Sequence, residues 1–98
     1  MDYEWDEAKR QANILKHGID FVDAAGIFDS EYLESEDRRR DYGERRYRGF
    51  GEVGGKILMV VYTWRTERRR IITARRARQN ERRAYYTGVA QATRENEK

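Results

Sequence analysis

Apolar and polar positions change period several times along this chain. A short stretch, Tyr3–Trp5, predicts a first strand. Ala8, Ala12 and Leu15 then recur at helical spacing and predict a helix to about His17 with those three side chains on one face. Asp6 is placed to cap it, and Gly18 to end it, with Lys16 and His17 in the last turn. Asp20 caps a predicted second helix to about Asp29, whose buried stripe is Phe21, Ala24, Ala25 and Phe28. Neither helix carries many basic side chains, so the join reads as a packing corner, not a DNA-reading element.

After Ser30 the period shortens. Tyr32–Glu36 and Arg45–Gly51 predict strands, and Gly51-Glu52-Val53-Gly54-Gly55 predicts a turn-rich connection. Ile57–Thr63 is apolar at successive positions, as a central strand should be. Trp64–Arg69 reads as a polar loop. Arg70–Arg76 reads as a β-branched strand, with Ile71, Thr73 and Arg75 on one face and Ile72, Ala74 and Arg76 on the other. A last helix is predicted over Glu81–Thr87, capped by Asn80 and ended by Gly88. The class that follows is α+β: helices on one face of a small antiparallel sheet, the other face free and decorated by strand arginines. At 98 residues the chain has room for one core, placed at residues 1–90, with a frayed tail at 91–98.

Composition narrows the chemistry. Charged residues are 40% of the chain, yet the net charge is only +3. Between Arg38 and Arg83 there are 16 basic residues against 5 acidic; outside that window the balance reverses to 5 against 13. Arginine dominates, 17 to 4 over lysine, and arginine binds phosphate bidentately and stacks on bases. The basic half suits a polyanion, and the acidic half could face a different, basic partner. No cysteine is present and only one histidine, which excludes a disulfide scaffold, a thiol nucleophile and Cys- or multi-His-ligated metal sites. No apolar run approaches the ~18 residues of a membrane helix, and the charged N-terminus lacks a signal region. A cytoplasmic protein without cofactor or metal is expected.

The two serines, Ser30 and Ser35, lie in an acidic stretch, unsuited to a Ser-His-Asp nucleophile, and no glycine-rich phosphate loop precedes a helix. Metal-free RNA cleavage remains possible, because RNA carries its own nucleophile, the 2′-hydroxyl. The protein then has to orient it, move protons and neutralise the phosphorane. Arginines can neutralise. His17 has the intrinsic pKa for proton transfer, although a histidine in a helix's last turn equally serves the dipole. Tyr85 and Tyr86 read more readily as packing, Trp5 and Trp64 as core and rim, and Arg68-Arg69-Arg70 as a solvated patch. Arg75 and Arg76 point to opposite faces, and the one outside the pocket has Glu81 as a partner.

Several spaced motifs resemble the BrnT toxin family. They are Tyr3-Glu4-Trp5-Asp6, Lys9, Asn13, Lys16-His17-Gly18-Ile19-Asp20-Phe21, Ala24-Ala25 and Phe28-Asp29. Further along come Asp37-Arg38, Gly43-Glu44-Arg45-Arg46-Tyr47, Gly49, Val60-Val61-Tyr62-Thr63, Arg65, Arg70–Ala77, Glu81-Arg82-Arg83 and Tyr85. Thr73 stands where that family's motif has serine. The resemblance implies a RelE-like ribonuclease of a type II toxin–antitoxin system that arrests translation. It also implies a BrnA-like ribbon-helix-helix antitoxin in a heterotetramer, with operator DNA bound only through the antitoxin. It points to Arg65 and Arg75 for phosphorane stabilisation, His17, Tyr85 and, less strongly, Glu81 for proton transfer, and Lys9, Lys16 and Arg76 for the RNA backbone. Asp6 and Asn13 read as capping and fold residues. The alternatives are a non-enzymatic RNA- or ribosome-binding module and a degenerate toxin homologue acting as an interaction subunit.

Overall fold

The computed structural model describes residues 2–96. The element order is β1 (Tyr3–Trp5), α1 (Glu7–His17), α2 (Phe21–Ala24), a 3₁₀ turn (Ala25–Asp29), β2 (Tyr32–Glu36), β3 (Tyr47–Val53), β4 (Lys56–Arg65), β5 (Arg68–Arg76) and α3 (Gln79–Asn96). The five strands form one sheet in the order β1-β5-β4-β3-β2. The class is α+β, as expected, but the sheet is mixed: β1 runs parallel to β5, while β2 to β5 form an antiparallel meander.

The predicted caps are in place. The Asp6 carboxylate accepts from Lys9 N at 3.1 Å, Gly18 closes α1 at φ 69°, and Asp20 accepts from Val22 N at 2.9 Å. The second helix is helical only to Ala24 and then tightens into the 3₁₀ turn. Two connections are shorter than expected. Val53 pairs with Lys56 across Gly54-Gly55, both at positive φ, and Arg65 pairs with Arg68 across Thr66-Glu67. The predicted polar loop over Trp64–Arg69 is therefore the tip of a β-hairpin.

The face of α1 is reversed from the periodicity. Ala8 and Ala12 are exposed and Leu15 is 89% exposed. Asn13 is the buried position. Its side-chain amide donates to Ala74 O (2.9 Å) and Ile19 O (2.8 Å) and accepts from Ala74 N (3.1 Å). β1 ends opposite Ile71, so β5 has no strand neighbour on that edge beyond it, and the Asn13 amide supplies the missing backbone partner. A polar residue is buried here because the backbone it meets requires hydrogen bonds.

The sheet carries apolar cover on both faces. On one, Phe21, Ala24 and Ile27 pack on Leu58, Val60, Ile71 and Ala74. On the other, Ile57, Ala77 and Tyr85 cluster with Leu33, Phe50 and Val89, so α3 covers part of the face expected to be free. α3 runs on through Gly88, where a Cβ would come within 2.4 Å of Leu33 Cδ1, so Gly88 is a close-packing position and not a helix stop. Of the tail expected to fray, residues 91–96 continue this helix and 97–98 lie outside the described residues.

A β-bulge sets which arginines share a face. Val61 pairs with Thr73 but Tyr62 pairs with Ile71, leaving Ile72 as an extra residue in β5. Ile71 and Ala74, three apart, consequently both enter the first core, and Thr73 and Arg75 lie on the α3 side. The strict alternation expected for β5 breaks there, because a one-residue insertion inverts facing on one side of it.

Candidate active site

Arg75 ends the α3 side of β5, and Glu81 lies in the first turn of α3. Helix α3 starts at Gln79, which makes Arg78 the N-cap residue and Glu81 the third helical position, in place of the expected Asn80 cap. Glu81 Oε1 accepts from Arg78 N at 2.7 Å, the half of a capping box that reaches back to the cap residue. The same carboxylate receives Arg75 Nη1 and Nη2 at 2.8 and 2.9 Å. The pair is largely shielded, with side chains 16% and 15% exposed. The Arg75 guanidinium, aided by the Arg78 N–H, holds the Glu81 carboxyl down to about 2 against an opposing effect of burial. Glu81 is thus ionised at neutral pH and holds no proton to donate. Its geometry aligns Arg75.

His17 closes α1 beside this strand. Lys9, Asn13, Lys16 and His17 from α1, with Ile72 and Thr73 from β5, line a cleft of about 270 Å³. The His17 pKa is lowered, first by burial and then by the positive charges of Lys16 and Arg75. At neutral pH its imidazole is neutral and can accept a proton. Lys9 and Lys16 are exposed at the same cleft.

Tyr85 lies one turn beyond Glu81, but it is 7% exposed and belongs to the second core. Its hydroxyl donates to Glu31 O at 2.9 Å, and its pKa is raised by burial and by Glu52 and Glu31. With Leu33, Arg48, Phe50, Asn80 and Glu81 it lines a second cleft, of about 300 Å³. Arg48 was not signalled by the sequence. It stands on β3 opposite Val61, and its buried Nε has no hydrogen-bond partner among the described residues.

Arg65 does not join this group. It pairs with Arg68 at the hairpin tip, whereas Arg75 pairs with Met59. The six strand residues between those rows span about 20 Å. Arg65 is 55% exposed, with Glu44 at 3.6 Å. Arg76 is exposed beyond Arg75, on the opposite face. Arg69, read from sequence as part of a solvated patch, is instead packed. Its guanidinium lies 4.0 Å from the Phe28 ring centre and 4.6 Å from that of Trp64, and it donates to Tyr32 OH at 2.9 Å.

A third cleft, of about 370 Å³, lies in the loop before β3, away from these residues. That loop is organised by buried Asp37, which accepts from Arg39 Nε and Nη2 at 2.8 and 2.7 Å and from Tyr42 OH at 3.1 Å. These bonds, Arg39 foremost, hold the Asp37 carboxyl well below the usual carboxylate range. Among the described residues, no three His, Asp or Glu side chains converge to hold a metal ion, and no helix is long and apolar enough to cross a membrane.

β5 therefore carries a carboxylate-aligned arginine at its end, and its Ile72 and Thr73 line a cleft with a histidine and two lysines of α1. No curated protein matches the chain. A family model does, over residues 5–81, and its description is "Ribonuclease toxin, BrnT, of type II toxin-antitoxin system". The matched span runs from the last residue of β1 through α1 and the strands β2 to β5 to the Arg75–Glu81 pair, and the chain belongs to the BrnT family of ribonuclease toxins.

Proposed function

We propose that this chain is a metal-independent endoribonuclease with a RelE-like fold that cuts RNA by transesterification. The neutral His17 imidazole takes the proton of the 2′-hydroxyl. The 2′-oxygen bonds to the adjacent phosphorus and the bond to the 5′-oxygen breaks, leaving a 2′,3′-cyclic phosphate. The imidazolium so formed, or water, returns a proton to the 5′-oxygen. Arg75 neutralises the phosphorane, and Glu81 keeps it in position without titrating near neutrality. Lys9, Lys16 and Arg76 hold the backbone on either side.

The observation that carries this reading is Arg75, fixed by two bonds from Glu81 at the end of the strand whose Ile72 and Thr73 line a cleft with His17. His17 suits proton transfer better than Tyr85, whose hydroxyl is already donated to a backbone carbonyl in an apolar cluster. The chemistry needs no metal because the substrate brings the nucleophile.

In the cell, the reading is of a cytoplasmic toxin that arrests translation and is neutralised by a BrnA-like ribbon-helix-helix antitoxin. The two form a heterotetramer on an antitoxin dimer, and operator DNA is reached through the antitoxin. The test is induced expression of this chain alone in a bacterial host beside an Arg75→Gln, His17→Asn variant, reading growth and RNA integrity. Arrest with RNA fragmentation in the parent alone is expected. Unimpaired growth from soluble parent protein overturns it.

A second reading, a non-enzymatic RNA-binding or degenerate interaction subunit, is favoured by one observation. Arg75 Nη1 and Nη2 are both engaged within the chain, by Glu81 and the Arg76 carbonyl. In that case Arg75→Gln changes RNA affinity and leaves RNA integrity alone.

A further inference from the structure

The bulge in β5 has a consequence on the α3 side of the sheet. Arg70 pairs with Thr63, and Arg75 with Met59. Thr63 and Met59 are four apart on β4 and face the same way, so Arg70 and Arg75, five apart on β5, do too. In a strand without a bulge, residues five apart would point to opposite faces; the unpaired Ile72 restores a common face. On this same side Arg65 and Arg68 pair at the tip, and Arg48 stands opposite Val61, between the Arg70 and Arg75 rows. Among the described residues, α3 clusters with Leu33 and Phe50, which share the row of Arg75, and with Ile57 beyond it.

The charges in this line are unequally compensated. Arg70 is paired with Glu4 at 2.7 Å and Arg75 with Glu81. Arg65 has only Glu44 at 3.6 Å, and Arg68 is exposed with no ion pair among the described residues. The Arg48 Nε has no hydrogen-bond partner among the described residues, as is also true of Arg69 on the opposite face.

We propose that Arg65, Arg68, Arg70 and Arg48 form a track for the backbone of single-stranded RNA that leads from the β4–β5 hairpin tip to Arg75. The ligand class follows from the spacing. Guanidinium groups repeat along about 20 Å of strand on a single face, which matches a linear polyanion several nucleotides long better than an isolated phosphate. The track rests on the ribonuclease reading for its purpose: it makes cleavage depend on substrate length, because a short RNA reaches Arg75 without filling the rows toward the tip.

The test uses the purified full chain on single-stranded RNAs from two to about sixteen nucleotides, beside an Arg65→Gln, Arg68→Gln variant checked for folding by circular dichroism. The parent's kcat/KM is expected to climb with length to a plateau. In the variant, KM on the longest RNA rises about tenfold and the climb flattens. Binding of a labelled long RNA is measured in parallel against salt. Removing two phosphate contacts lowers the slope of log K against log salt by about 1.4. A parent whose kcat/KM is independent of length overturns the track, as does a variant whose salt slope is unchanged. If no RNA is cut by either protein, the ribonuclease reading fails; the salt slope still decides whether the arginines bind RNA.

Discussion

The side-chain amide of Asn13 pairs with both backbone groups of Ala74, donating to its carbonyl at 2.9 Å and accepting from its N–H at 3.1 Å. One residue of α1 thereby completes the edge of β5 next to Arg75. His17, one helical turn further along α1, is brought to the same strand. The fold and the candidate chemistry meet in this contact.

Asn13→Ala removes a buried donor–acceptor pair and leaves Ala74 N–H and two carbonyls without partners. Each such loss costs about 1–3 kcal/mol, so a destabilisation of about 2–4 kcal/mol is expected. Urea unfolding checks it. A loss within 0.5 kcal/mol would show that the amide is dispensable.

Leu15→Glu is expected to leave stability within about 0.5 kcal/mol of the parent, because Leu15 is 89% exposed. Ile14→Glu on the half-buried side of α1 should cost several times more. Equal losses from the two would restore the face that the apolar spacing suggests.

Glu81 titrates at about 2 in the folded chain against 4.5 ordinarily, so the folded state holds fewer protons there than the unfolded state. Its contribution is full above about pH 4.5 and is lost as pH falls through 2. At about 1.4 kcal/mol per unit, that contribution is of order 3 kcal/mol. Glu81→Gln should flatten the acid limb of stability over this window in thermal melts. It should also lower cleavage by weakening the alignment of Arg75, with kcat affected more than KM.

The His17 shift has the same sign in stability terms: the folded state disfavours the proton. Stability and cleavage are both full above the ordinary value of 6.5 and decline as pH falls through the lower folded value. The pH–rate profile should show an acid limb below 6.5, and His17→Asn should remove that limb with a rate loss of about 10²–10⁴. A limb that persists unchanged in His17→Asn assigns the base elsewhere.

Tyr85→Phe is expected to cost about 1 kcal/mol, the worth of its bond to the Glu31 carbonyl, and to leave most of the cleavage rate. Tyr85→Ala, which empties part of the second core, should cost about 3–5 kcal/mol. A catalytic hydroxyl would instead show itself as a large kcat loss in Tyr85→Phe with stability little changed.

Much of this protein is determined locally and was legible in the sequence. The caps Asp6, Gly18 and Asp20 act within a few residues of themselves, and the uninterrupted apolar run of β4 needs burial on both sides. The charge asymmetry and the spaced BrnT-like motifs were likewise readable without coordinates. Tertiary structure decided the rest. Asn13 is buried and Leu15 exposed because what faces α1 is the unpaired edge of β5, and an exposed strand edge demands hydrogen bonds that apolar side chains cannot give. Arg65 is separated from Arg75, and Arg70 aligned with it, because hairpin register and one inserted residue fix position and facing along β5. Strand pairing is non-local, so the spacing of residues along a single strand cannot contain it.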